Sequence, residues 1–103
     1  MKHVIAATAA TLGLLLASAA QADEKIAQAS GCMTCHQIDK KILGPSFKDI
    51  AAKYRGNKAA EAMLAKKVKN GGSGVWGDML MPPNAHVKDA DIAALVKWVL
   101  AQK

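Results

Sequence analysis

Cys32, Cys35 and His36 are the residues most able to do chemistry together. They stand in the run Cys32-Met33-Thr34-Cys35-His36. On a helical turn, positions i, i+3 and i+4 share one face, so two thiols and an imidazole converge. Thiols at this spacing can bond covalently to the two vinyl groups of a haem while the adjacent imidazole reaches the iron from the same side. C-x-x-C-H is the attachment pattern of c-type haem. Three other uses of these residues compete. A thioredoxin-type redox pair belongs in a βαβ setting, and the chain offers no convincing strand. A zinc site needs a fourth ligand, for which His86 is the one other histidine after residue 22. A single structural disulfide is the third.

A haem held by one histidine can take methionine, histidine, water or nothing on its other face. Met33 lies between the two cysteines, on the His36 side. Met63 sits in a helical pattern and reads as core filling. Met79 and Met81 fall in the apolar loop around residues 71–87. Met81 precedes Pro82-Pro83, which locks the backbone and pushes Met81 towards an extended conformation. A stiff extended strap suits a thioether that must stay on iron. Met81 is the favoured ligand, with Met79, His86 or an open position as alternatives.

These groups need elements to hold them, and the chain reads as all-α. Residues 24–30 form a short helix ending at Gly31. Ser46, with Asp49 three residues on, resembles a capping box, and Phe47, Ile50, Ala51 and Tyr54 recur on one helical face. Asn57 is placed to cap a third helix over residues 58–70, with Ala60, Leu64 and Val68 on one side. Ile92, Leu95, Val96, Val99 and Leu100 make the clearest apolar stripe. Asp89 and Asp91 stand at its start, where the helix dipole favours negative charge. Gly71 to Val87 gathers glycines, Pro82-Pro83, Trp76, Met79, Leu80 and Met81. That loop is too apolar for solvent and needs something apolar to lie against. Trp98 and Tyr54 read as core or wall residues.

The 103 residues carry 14 Lys+Arg against 8 Asp+Glu and only 2 Cys. That suits one small domain and excludes a disulfide framework. Residues 1–22 have a positive start, an apolar stretch rich in Ala and Leu, and an Ala20-Gln21-Ala22 ending. They read as a secretory signal peptide cleaved from a domain of residues 23–103; the apolar run is short of the roughly 20 residues that span a bilayer. The domain would then be exported, in a bacterial periplasm, without stable membrane insertion and without nucleic acid. Its large apolar side chains make a marginal core, which a bound haem would complete.

The sequence resembles the small bacterial class I cytochromes c of the c-551/c-552 (c8) type. The resemblance covers nearly all of residues 24–103. It rests on GCMTCH at 31–36, LGPSFKDIAAKY at 43–54, KNGGSGVWG at 69–77, MPPN at 81–84 and LVKWVLAQK at 95–103. It implies the class I cytochrome c fold, four or five short helices around one covalently bound haem c, with the first and last helices packed together. It implies His36 and Met81 as axial ligands, and the Pro45 carbonyl as acceptor for the other His36 nitrogen. It implies that Asn84 donates to the Met81 sulfur and that Trp76 hydrogen-bonds a haem propionate. Lys67 stands where relatives often carry Arg for a propionate, and Asp78 and Leu80 where they often carry Pro.

With histidine and methionine both on the iron, no position remains for a substrate. The expected function is one-electron transport rather than catalysis. The resemblance implies a quinol-oxidising complex as donor and a terminal oxidase or nitrite reductase as acceptor, served by a monomer. Lys40, Lys41, Lys48, Lys53, Lys58, Lys66, Lys67 and Lys69 flank the haem motif and third helix, and could steer acidic partners. The competing function is a haem sensor or enzyme with an open or labile sixth site.

Overall fold

The computed structural model describes residues 23–103; the expected signal peptide lies outside them. The elements are α1 (residues 23–29), a 3₁₀ turn at Cys32–Thr34, α2 (Phe47–Tyr54), α3 (Ala60–Asn70) and α4 (Asp89–Leu100). No strand occurs among the described residues; only two isolated bridges do, His36 with Lys41 and Gly72 with Met81. None of the described helices is long and apolar enough to cross a membrane.

Each helix is set by its sequence at its ends. Gly31 stops α1 in the left-handed region at φ 83, which costs glycine little. Ser46 begins α2 with its hydroxyl accepting from the Asp49 N–H at 3.0 Å, one of the donors a helix start leaves free. Asn57 caps the turn that leads into α3, but the regular helix begins at Ala60 and not at the expected residue 58. The Asn57 Oδ1 takes the Ala59 N–H at 2.9 Å, and its backbone oxygen takes the Ala60 N–H. That local turn consumes residues 58 and 59, and regular α3 begins at Ala60. Helix α4 carries Asp89 and Asp91 in its first turn.

Helix α4 is the centre of the packing. Leu95 and Val99 bury with Ala27 of α1 and Phe47 of α2, while Ile92 and Val96 bury with Val87, against Leu64 and Val68 of α3. First and last helices therefore meet through Ala27, which is fully buried. Trp98 closes this region edge-on to Phe47, ring centroids 5.3 Å apart at 72°. Met63, expected as core filling, is 41% exposed. It falls one position short of the Ala60, Leu64, Val68 face that meets α4.

Lys69 fastens α3 to the start of α4. Its Nζ donates to the Val87 carbonyl at 2.9 Å and pairs with Asp89 at 3.0 Å. Asp89 is highly exposed, so the ion pair itself contributes little; the half-buried bond to the carbonyl contributes more. Lys69→Met should lower stability by about 1 kcal/mol, read as a shift in the denaturant midpoint at unchanged slope.

Candidate functional site

The motif residues are brought together by backbone hydrogen bonds in one tight turn. Thr34 N–H bonds Gly31 O, Cys35 N–H bonds Cys32 O, and His36 N–H reaches Cys32 O at 2.9 Å. Cys32, Cys35 and His36 consequently line the same cleft. The two cysteines are not joined to each other in a disulfide. Burial pushes the Cys32 thiol above its ordinary range; the neighbouring Cys35 adds to this, and a hydrogen bond to its own backbone opposes it. The described residues hold no three His, Cys, Asp or Glu side chains grouped to cage a metal ion, and His86 is exposed, outside the cleft. The described residues offer no βαβ setting for a redox pair and no fourth ligand in the cleft for zinc.

His36 is buried and fixed on three sides. Its Nδ1 lies 2.7 Å from the Pro45 carbonyl, which accepts its proton and leaves Nε2 free to coordinate. The ring stacks on Phe47, centroids 5.3 Å apart at 23°. Gly44 closes the third side: a Cβ there would stand 2.7 Å from His36 Cε1 and 3.1 Å from Nδ1. Gly44 is thus required by close approach, and Gly44→Ala should displace the imidazole. The expected cost is about 1–3 kcal/mol, measured by thermal unfolding, with a lower yield of correctly loaded protein.

Met81 is mounted from the end of α3. Its N–H donates to Gly72 O at 2.8 Å and its carbonyl accepts from Gly72 N–H at 3.0 Å. Gly71 has φ 74, and a Cβ on it would collide with the Met81 carbonyl and the Pro83 nitrogen. The strap therefore lies directly on the glycine pair. Asn84 pins its far end. The backbone N–H donates to Val68 O at 3.0 Å, and Nδ2 donates to Val68 O at 3.1 Å and Pro82 O at 3.3 Å. This differs from the expected bond to the Met81 sulfur. Both protons of the amide are directed at backbone oxygens, which are stronger acceptors than a thioether.

The cleft between these pieces, together with the open space at its mouth, measures about 1150 Å³. Its floor includes Leu95, Val96 and Val99; Ile50, Tyr54 and Leu64 stand in its walls. Leu43, Val75, Trp76, Met79 and Leu80 line it while remaining 43–64% exposed. Five large apolar side chains turned to one open cleft are what a flat apolar ligand would cover. Lys67 lines the cleft as well, its Nζ lying where a Cβ on Gly72 would come. The Trp76 N–H has no protein acceptor among the described residues. The lining fits a haem: two cysteines, an imidazole with one nitrogen left free, a methionine on a hydrogen-bonded strap, apolar walls, a lysine and a tryptophan.

Residues 20–103 match the cytochrome c family. The chain belongs to the cytochrome c family. Among its relatives, cytochrome c-552 of Nitrosomonas europaea is 48% identical over 103 residues, covering both chains completely. Cytochrome c-551 of Pseudomonas aeruginosa is 52% identical over 93 residues, 88% of each chain. The crystal structure of the wild-type Nitrosomonas europaea protein superposes with a TM-score of 0.75 at 49% identity, covering 78% of this chain and 99% of that one. This is a small class I cytochrome of the c-551/c-552 type, with one covalently bound haem c. Sequence reasoning reached this cytochrome's cleft residues but missed the roles of Phe47 and Gly44. In the sequence Phe47 stands only as an apolar helix position, and Gly44 only within the run at 43–54.

Proposed function

We propose that this cytochrome is a soluble periplasmic one-electron carrier, with thioether attachment at Cys32 and Cys35 and His36 and Met81 as axial ligands. The observation that carries the reading is that a held imidazole and a strapped methionine line one apolar cleft with both cysteines. The His36 imidazole is held by Pro45, Phe47 and Gly44 with one nitrogen free, and Met81 sits on a strap hydrogen-bonded to Gly72. The haem, when bound, supplies the ferric–ferrous couple.

The protein's own residues do the rest. The Pro45 carbonyl fixes the His36 ring and raises its basicity as a donor. The Met81 thioether and the apolar walls favour the ferrous state. Asn84 keeps the strap registered on α3 through Val68 and braces the strap itself through Pro82. Trp76 and Lys67 serve the propionates, Lys67 as a point charge without the forked geometry of Arg. Because the mount of each ligand is rigid, little rearrangement accompanies electron transfer. Residues 1–22 act as the export signal, so the mature chain begins at Asp23. Exposed Lys40, Lys41, Lys48 and Lys58 add a positive rim suited to acidic redox partners, a quinol-oxidising complex as donor and a terminal oxidase or nitrite reductase as acceptor.

A redox titration with carbon monoxide challenge tests this. The protein should take up one electron per chain reversibly, and the ferrous form should resist carbon monoxide. Rapid, stoichiometric carbon monoxide binding would instead establish an open sixth site and a sensor or enzyme.

A further inference from the structure

Lys53 stands on the exposed side of α2, yet its ammonium is not simply in solvent. Its Nζ lies 5.6 Å from the centroid of the Trp76 ring and 5.8 Å from that of Tyr54. Tyr54 is its neighbour on α2. Trp76 belongs to the separate loop that lines the cleft at its mouth, and both rings border the cleft. Among the described residues the ion pair present is Lys69 with Asp89, so the Lys53 charge rests on aromatic faces and not on a carboxylate. A cation within about 6 Å of an indole centroid is held by the ring's quadrupole, and the lysine stem can cover apolar surface on the way.

The loop has little else to fasten it. Within residues 73–80 one backbone bond closes the turn, Gly74 N–H to Gly77 O at 2.8 Å. Met79 and Leu80 are each 64% exposed. The strap proper is anchored only from Met81 onward. Between Gly72 and Met81, the contact that joins the loop to a helix through a charged side chain is Lys53 on Trp76.

We propose that Lys53 is a positioning residue for the cofactor cleft: its ammonium, seated on the Trp76 ring, latches the 73–80 loop to α2 and holds the indole at the mouth. The contact itself stands on geometry alone; that the latched loop covers haem rests on the function proposed above. Latching keeps water from the cleft and keeps the indole N–H turned towards its acceptor there.

The test uses the purified, haem-loaded protein and three variants, Lys53→Gln, Lys53→Arg and Trp76→Leu, with a Lys53→Gln/Trp76→Leu double variant to close the cycle. Amide hydrogen exchange reports the loop, and the reduction potential reports the cleft. Lys53→Gln should speed exchange at Gly74 and its neighbours by about two- to five-fold, the factor expected for an exposed cation–π pair, and lower the potential. Amides of α4 should keep their rates. Lys53→Arg should restore both quantities, because a guanidinium also stacks on an aromatic face. In the Trp76→Leu background, Lys53→Gln should add nothing to loop exchange. Unchanged exchange in Lys53→Gln, or an undiminished effect in the Trp76→Leu background, would overturn the proposal. Haem content is read on the same samples, so a failure of the haem reading registers separately.

Discussion

Met81→Ala should abolish the weak ferric absorption band that a sulfur ligand produces, while the covalently attached haem remains. The main-chain bonds that mount residue 81 on Gly72 do not depend on its side chain, so the strap should stay in place around a missing ligand. The vacated position should then accept carbon monoxide rapidly. Loss of the thioether also removes one of the features favouring the ferrous state. The potential should fall by on the order of a tenth or more of the ~0.8 V range that axial ligation spans. Met79 and His86 provide the controls. Met79 borders the cleft two residues upstream but is largely exposed, and His86 lies outside it. Met79→Ala and His86→Ala should retain the band. Its survival in Met81→Ala, with loss in Met79→Ala, would transfer the ligand assignment to Met79.

Replacing both Cys32 and Cys35 by Ala should have a larger effect still, on the fold itself. The cleft is bordered by Leu95, Val96 and Val99 of α4, and Leu43, Val75, Trp76, Met79 and Leu80 face it half-exposed. Covering several such side chains contributes on the order of 1.5–3 kcal/mol each. A domain of this size is expected to have a net stability of only about 5–10 kcal/mol. Without a covalently retained haem, the filled core cannot be completed, and the chain should lose most of its helical circular dichroism and its cooperative melting transition. A double variant that still melts cooperatively near the temperature of the parent protein would show that the helices carry their own core.

Much of this site is legible in the sequence because its signals are local. The C-x-x-C-H spacing, the Ser46 cap with Asp49 and the α4 stripe each depend on residues within one or two turns. The start of α3 falls two residues later than the Asn57 signal implies because Asx turns and helix caps use the same side-chain oxygen, and only the following backbone decides between them. Met63 was misread because α3 presents a narrow face to α4, so one helical position separates buried from exposed. The role of Asn84 depended on which acceptor its amide meets across the chain, here Val68, sixteen residues away. Phe47 against His36 and Lys53 over Trp76 are tertiary contacts between a helix and a distant loop or turn. No periodicity encodes them.

The central claim is a haem fixed covalently by Cys32 and Cys35 between His36 and Met81. Its most direct measurement is the visible spectrum of the purified protein, oxidised and reduced, taken before and after acid–solvent extraction. One haem c per chain should remain with the polypeptide after extraction, and the intact ferric protein should show the sulfur-ligand band. A colourless protein, or pigment that leaves with the solvent, would contradict the account.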